Sequence, residues 1–157
     1  MVVYKKNHSN SKNETEESAC IAEKVLKSFK DYPQSKIEKV LVCIRQCSFS
    51  KGINPDLLEA KILQDADRLE ATGAISIMRT FSSGGQMNLQ FYNPADPFCK
   101  KDAIAFRSDL DLFYMRLLVV EKGMHTKFAK QIAKRRTVFL KKFLSELKIE
   151  LKESKVI

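Results

Sequence analysis

An all-α fold, arranged as a single helical domain, is what this sequence predicts, and two observations carry that reading. Apolar residues recur three and four positions apart along most of the chain. Proline, glycine and small polar residues interrupt the pattern where helices should begin and end. Strand-like alternation competes only weakly, around residues 87–92.

Taken in order, residues 1–13 read as a polar leader, residues 14–153 as the helical domain and residues 154–157 as a tail. Glu14, Glu16 and Glu17 suit a helix start, where the backbone dipole favours negative charge. Ala19, Ile21, Ala22, Val25, Leu26 and Phe29 follow at helical spacing, and Tyr32-Pro33 closes that helix. Ser35 is placed to cap a second helix carrying Ile37, Val40, Leu41, Ile44 and Cys47. Asn54-Pro55 reads as a cap followed by proline at the first helical position, opening a third helix that runs to about Thr72. Gly73 breaks the chain there. A short helix over 74–81 is ended by Ser82-Ser83-Gly84-Gly85, and residues 84–106 form a long loop. Ser108 and Thr126 then cap the last two helices, the second of them long, with Phe128, Phe139 and Phe143 following its core period.

A chain of 157 residues with 44% apolar and 30% charged residues suits one folded core and excludes intrinsic disorder. No stretch reaches the roughly 20 consecutive apolar residues of a membrane-spanning helix, so a cytoplasmic protein is expected. The four cysteines agree: Cys43 and Cys47 share a helical face without the paired spacing of a zinc site, and read as buried free thiols. The net charge of +9 is uneven, with ten Lys or Arg against three Glu from His125 to Lys155. That stretch reads first as the solvated face of an amphipathic helix. Nucleic acid ranks last as its partner, because aromatic residues at the core period leave no stacking platform among the lysines.

The segment that carries chemistry is Asp65-Ala66-Asp67-Arg68-Leu69-Glu70. Asp65 lies three residues after Ile62 and four before Leu69, so it points partly toward a core face, where a carboxylate needs compensation. Asp67 sits roughly 200° further around the helix, so both acids cannot face one point. The same residues also fit an Asp65 bonded to backbone donors beside a surface Asp67–Arg68 pattern.

The longer string from Gln64 to Phe81, Gln-Asp-Ala-Asp-Arg-Leu-Glu-Ala-Thr-Gly-Ala-Ile-Ser-Ile-Met-Arg-Thr-Phe, resembles the final signature of one branch of the HD-type metal phosphohydrolases. Ser48-Phe49-Ser50, Phe113-Tyr114-Met115-Arg116-Leu117-Leu118 and Met124-His125-Thr126 extend the resemblance over most of residues 15–150. It implies a helical bundle that hydrolyses nucleotides or other phosphate esters with a divalent metal such as Mn, Mg, Ni or Fe. It also implies Asp67 as the final metal ligand and catalytic position, Asp65 as accessory, and Arg68 as a structural or phosphate-neighbouring base. Arg79 and Arg116 would face phosphate.

The departures from that pattern are equally informative. The family's first metal histidine and its His-Asp dyad have no counterpart, since no His-Asp dipeptide occurs and His8 lies in the polar leader. Val2-Val3-Tyr4-Lys5 resembles the residues that follow the dyad, so the chain reads as an N-terminally truncated, degenerate member. Cys47 and Leu112 stand where the family has histidine, and Glu70 where it has aspartate. The expectation is a pseudoenzyme that does not hold its metal tightly, with apolar surface left on helices 14–30 and 55–72 for self-association or a protein partner. The alternative is a non-catalytic scaffold whose basic C-terminal helix binds an acidic partner or a nucleotide.

Overall fold

Six α-helices carry the described chain: α1 (Glu14–Ser28), α2 (Ile37–Gln46), α3 (Leu58–Leu69), α4 (Gly73–Gln86), α5 (Asp109–Leu112) and α6 (Lys127–Glu153). The computed structural model describes residues 13–48, 51–100 and 108–154. His8, most of the expected leader, Phe49-Ser50 and the end of the tail lie outside the described residues. Among those described there is no strand, only an isolated parallel bridge between Gln90 and Ser108. The all-α expectation is met. The chain divides into two compact units, Met1–Asp67 and Arg68–Ile157, the division falling inside α3.

In the first unit, α1 packs on α2 through Ala19, Ile37 and Leu41, with Ala22, Leu26, Tyr32 and Ile44 around them. Helix α1 stops at Ser28, earlier than Tyr32-Pro33, because Phe29 turns extended at ψ 111°. Ser35 does not cap α2. It lies inside a 3-10 turn, Gln34–Lys36, that leads directly into the helix. Helix α3 starts at Leu58 rather than Pro55, and Pro55 is fully buried instead, its ring used for packing. The connection from α2 to α3 is closed by Gln64, itself 0% exposed, whose Nε2 donates to the carbonyls of Gln46 (2.5 Å) and Ile53 (2.9 Å). Arg45 bridges Glu16 (3.0 Å) and Glu38 (3.3 Å) at the surface, a pairing worth at most about 1 kcal/mol.

The core of the second unit is Leu110, Phe113, Leu117, Leu140 and Leu144, flanked by Phe81 and Phe143. The rings of Phe113 and Phe143 stack at 5.7 Å and 21°, and such pairs add about 1 kcal/mol beyond burial. A second cluster, Val120, Met124, Ala129 and Ala133, continues along α6. Small residues on that face let the segment before α6 approach closely. Two expected caps are present: Ser108 and Asp111 form a reciprocal capping box on α5, and Thr126 Oγ1 accepts the Ala129 N–H (3.2 Å) on α6.

Three expectations change in this unit. Helix α4 continues through Ser82-Ser83-Gly84-Gly85 to Gln86 instead of ending at Phe81. The segment after Ser108 is α-helical only to Leu112, then forms a π turn over Phe113–Leu117, closed by Leu118 N–H on the Phe113 carbonyl (2.9 Å), and a 3-10 turn over Val120–Gly123. Phe128 and Phe139 are 73% and 46% exposed, because the buried face of α6 is centred on Ala133, Leu140 and Leu144, and only Phe143 reaches the core.

The turn from α3 to α4 depends on Arg136. Its Nη1 donates to the Leu69 carbonyl (3.0 Å), which also accepts from the Thr72 N–H (3.2 Å) and Oγ1 (2.6 Å), and to Thr72 Oγ1 itself (3.3 Å). Gly73 turns the chain at φ +72°, and a Cβ there would meet Arg136 Cγ at 3.0 Å. Arg136→Ala should lower unfolding stability by about 1–3 kcal/mol, read from the denaturant midpoint. Gly73→Ala should cost a comparable amount, about 1–2 kcal/mol for the left-handed backbone alone.

Candidate functional site

Helix α3 sorts the predicted site residues by its own geometry. Gln64, Asp65 and Arg68 fall on the buried side, and Asp65 is 3% exposed. Ala66 and Asp67 fall on the solvent side. The two acids are therefore separated as the helical period requires, one buried and one open to water. Cys47 and Cys43 are buried free thiols, as expected. Burial pushes the Cys47 thiol up, and the negative charge of Asp67 adds to that rise, so Asp67 and Cys47 lie within electrostatic reach.

Arg68 is the first residue of the second unit. Its Nη1 donates to the Gly123 carbonyl and lies 2.8 Å from His125 Nε2. The guanidinium is thus a latch for the 123–125 segment. Arg79 is exposed and ion-paired with Glu70 on the surface. Arg116 is exposed on the π turn. Arg68, Arg79 and Arg116 therefore occupy three separate settings: a buried carbonyl latch, a surface ion pair and an exposed turn.

Among the described residues, no three of His, Cys, Asp and Glu converge as a metal site would require. A divalent ion held against water needs several protein ligands. Asp67 with a protonated Cys47 nearby does not supply them, so the described residues by themselves do not fit such an ion.

No protein-family model matches the chain. Solved structures do. The Lin1889 protein from Listeria innocua is 32% identical with a TM-score of 0.66, covering 93% of this chain and 69% of that one. An HD-superfamily hydrolase from Bacillus thuringiensis is 29% identical with a TM-score of 0.65, covering 93% of this chain and 66% of that one. The chain is related to HD-superfamily hydrolases. Bacillus subtilis YpgQ, whose structure was solved in complex with ADP, is 26% identical with a TM-score of 0.66, covering 85% of this chain and 63% of that one. A sequence comparison with the same uncharacterized YpgQ gives 31% identity over 97 residues, 62% of this chain and 42% of the relative. The chain therefore spans less than half of that curated relative's length. No described helix is long and apolar enough to cross a membrane.

The Leu112 side chain offers no donor or acceptor atom, and burial favours Cys47 as a thiol. Sequence reasoning missed Asp109. It is 0% exposed, and neither carboxyl oxygen has a hydrogen-bond partner among the described residues. The carboxyl lies against the backbone of Gly84, in the space where any side chain at that position would sit. In the sequence Asp109 looks like an ordinary acid at a helix start. Only the packing of α4 on α5 removes it from water.

Burial raises the Asp109 pKa, so the folded state holds the proton more tightly than the unfolded chain. Its contribution to stability is present below the unfolded value of about 3.9 and is lost as pH rises through the higher folded value. Asp109→Asn should therefore raise the thermal midpoint at pH 7, and that gain should vanish below about pH 4. Gly84→Ala should destabilise by several kcal/mol, about 2–4, and the double variant with Asp109→Ala should recover most of the loss. Additive effects in that cycle would remove the contact from the account.

Proposed function

We propose that this chain is an HD-phosphohydrolase-like protein whose ancestral chemistry is metal-dependent hydrolysis of nucleotides or other phosphate esters, and which is catalytically inactive by itself. The observation that carries the reading is Asp67, exposed on α3 in a chain related to HD-superfamily hydrolases, without converging ligands among the described residues. Leu112 and the buried Cys47 thiol support it. YpgQ with bound ADP points to nucleotides as the substrate class of the lineage. In this reading Asp67 is a metal ligand by ancestry, Asp65 a buried accessory acid, and Arg79 and Arg116 the exposed bases that would face phosphate.

A second reading is a non-catalytic binding protein. Lys127, Lys130, Lys134, Lys141 and Lys142 of α6 face solvent, as an acidic partner or nucleotide would require. Exposed apolar residues favour a protein partner as well: Ile21 and Val25 on α1, Phe29 just beyond its end, and Leu58 and Ile62 on α3.

Purified protein supplied in turn with Mn, Mg, Ni or Fe should not turn over nucleoside di- or triphosphates above background. Turnover abolished by Asp67→Ala would overturn the inactive reading and establish the hydrolase.

A further inference from the structure

A cavity of about 420 Å³ opens in the second unit between the 95–100 segment and the last turns of α6. It is lined by Asp96, Phe98, Lys100, Lys148 and Lys152, with Ala95 and Pro97 completing the wall. None of Asp65, Asp67, Arg68, Arg79 or Arg116 lines it.

Lys148 and Lys152 stand one turn apart on α6, so their side chains share a face. Lys148 Nζ sits 5.9 Å from the centre of the Phe98 ring, within the range of a cation–π contact. None of Lys100, Lys148 and Lys152 has an ion pair among the described residues. The single carboxylate is already engaged, since Asp96 Oδ1 accepts the Lys100 backbone N–H (2.9 Å). The 95–100 segment is further ordered by Cys99 N–H on the Asp96 carbonyl (3.2 Å). Three exposed lysines thus line a concavity with one occupied counter-charge and an aromatic wall. A solvated helix face would spread its lysines. Here lysines from two separate segments converge on one volume of ligand size.

We propose that this cavity binds a compact polyanion, a diphosphate or triphosphate group, with Lys100, Lys148 and Lys152 contacting phosphate oxygens and the Phe98–Pro97 wall accommodating whatever the phosphates are attached to. The proposal deepens the second reading above by giving the basic helix a specific site. It is independent of hydrolysis.

Calorimetric titration of the full chain with inorganic pyrophosphate and tripolyphosphate tests it. The expected result is binding with a stoichiometry of one, weakened by salt, and about tenfold or more weaker in the Lys148→Gln/Lys152→Gln variant. A control variant, Lys24→Gln/Lys36→Gln, removes the same charge from exposed positions of the first unit and should bind as the parent does. A loss in Lys130→Gln/Lys134→Gln as large as in the cavity variant would sink the cavity while leaving a diffuse basic helix as the binding surface. No binding to the parent chain would sink both. A nucleoside diphosphate titrated in parallel distinguishes the source of the phosphate. Tighter binding than pyrophosphate, lost in Phe98→Ala, assigns an organic phosphate, and equal affinity an inorganic one. Circular dichroism melts of each variant exclude loss of fold as the cause.

Discussion

The C-terminal end of α3 is held by two arginines that satisfy backbone carbonyls, and the candidate site inherits its arrangement from them. Arg136 closes the helix at Leu69 and shields the turn at Gly73, while Arg68 reaches the Gly123 carbonyl and His125. Both are charged donors serving neutral acceptors away from bulk water, where such bonds are stronger than at the surface and costly to lose. The residue immediately before Arg68 is Asp67. On α3 Arg68 faces inward while Asp67, about 100° away around the helix, faces outward, so the latch and the exposed acid sit side by side on one helix.

That phase bears on chemistry. An aspartate on a solvated helix face is not by itself a metal site. It becomes catalytic machinery only when other ligands are brought to it, and the described residues do not bring them. Relation to HD-superfamily hydrolases and possession of their chemistry are therefore separate statements about this chain. The first rests on a shared helical framework. The second depends on a set of metal-ligating side chains brought to one point.

Much of the framework was legible because it depends on local rules. The helices, the caps at Ser108 and Thr126 and the buried free thiols at Cys43 and Cys47 follow from residue types a few positions apart. The Asp-Ala-Asp-Arg-Leu string was likewise legible, since a helix two residues long in phase already separates its acids. Where reading failed, a distant partner had overridden a local preference. Gly84-Gly85 should end a helix, yet α4 runs through them, with the Gly84 backbone against Asp109. Phe128 and Phe139 fit the core period, yet over 27 residues α6 presents only part of its apolar stripe to neighbours.

What the sequence by itself determined, then, is the helical class, the lineage and the phase that parts Asp65 from Asp67, because each is set by residues within a turn or two of one another. What only the tertiary structure decided is which charged groups are held and which are open. Arg68 became a latch on a carbonyl 55 positions away, Asp109 was buried without a hydrogen-bond partner among the described residues, and lysines from the 95–100 segment and from α6 met at one cavity. The physical reason is that desolvation and pairing depend on neighbours in space, and no spacing along the chain encodes which distant atoms will arrive.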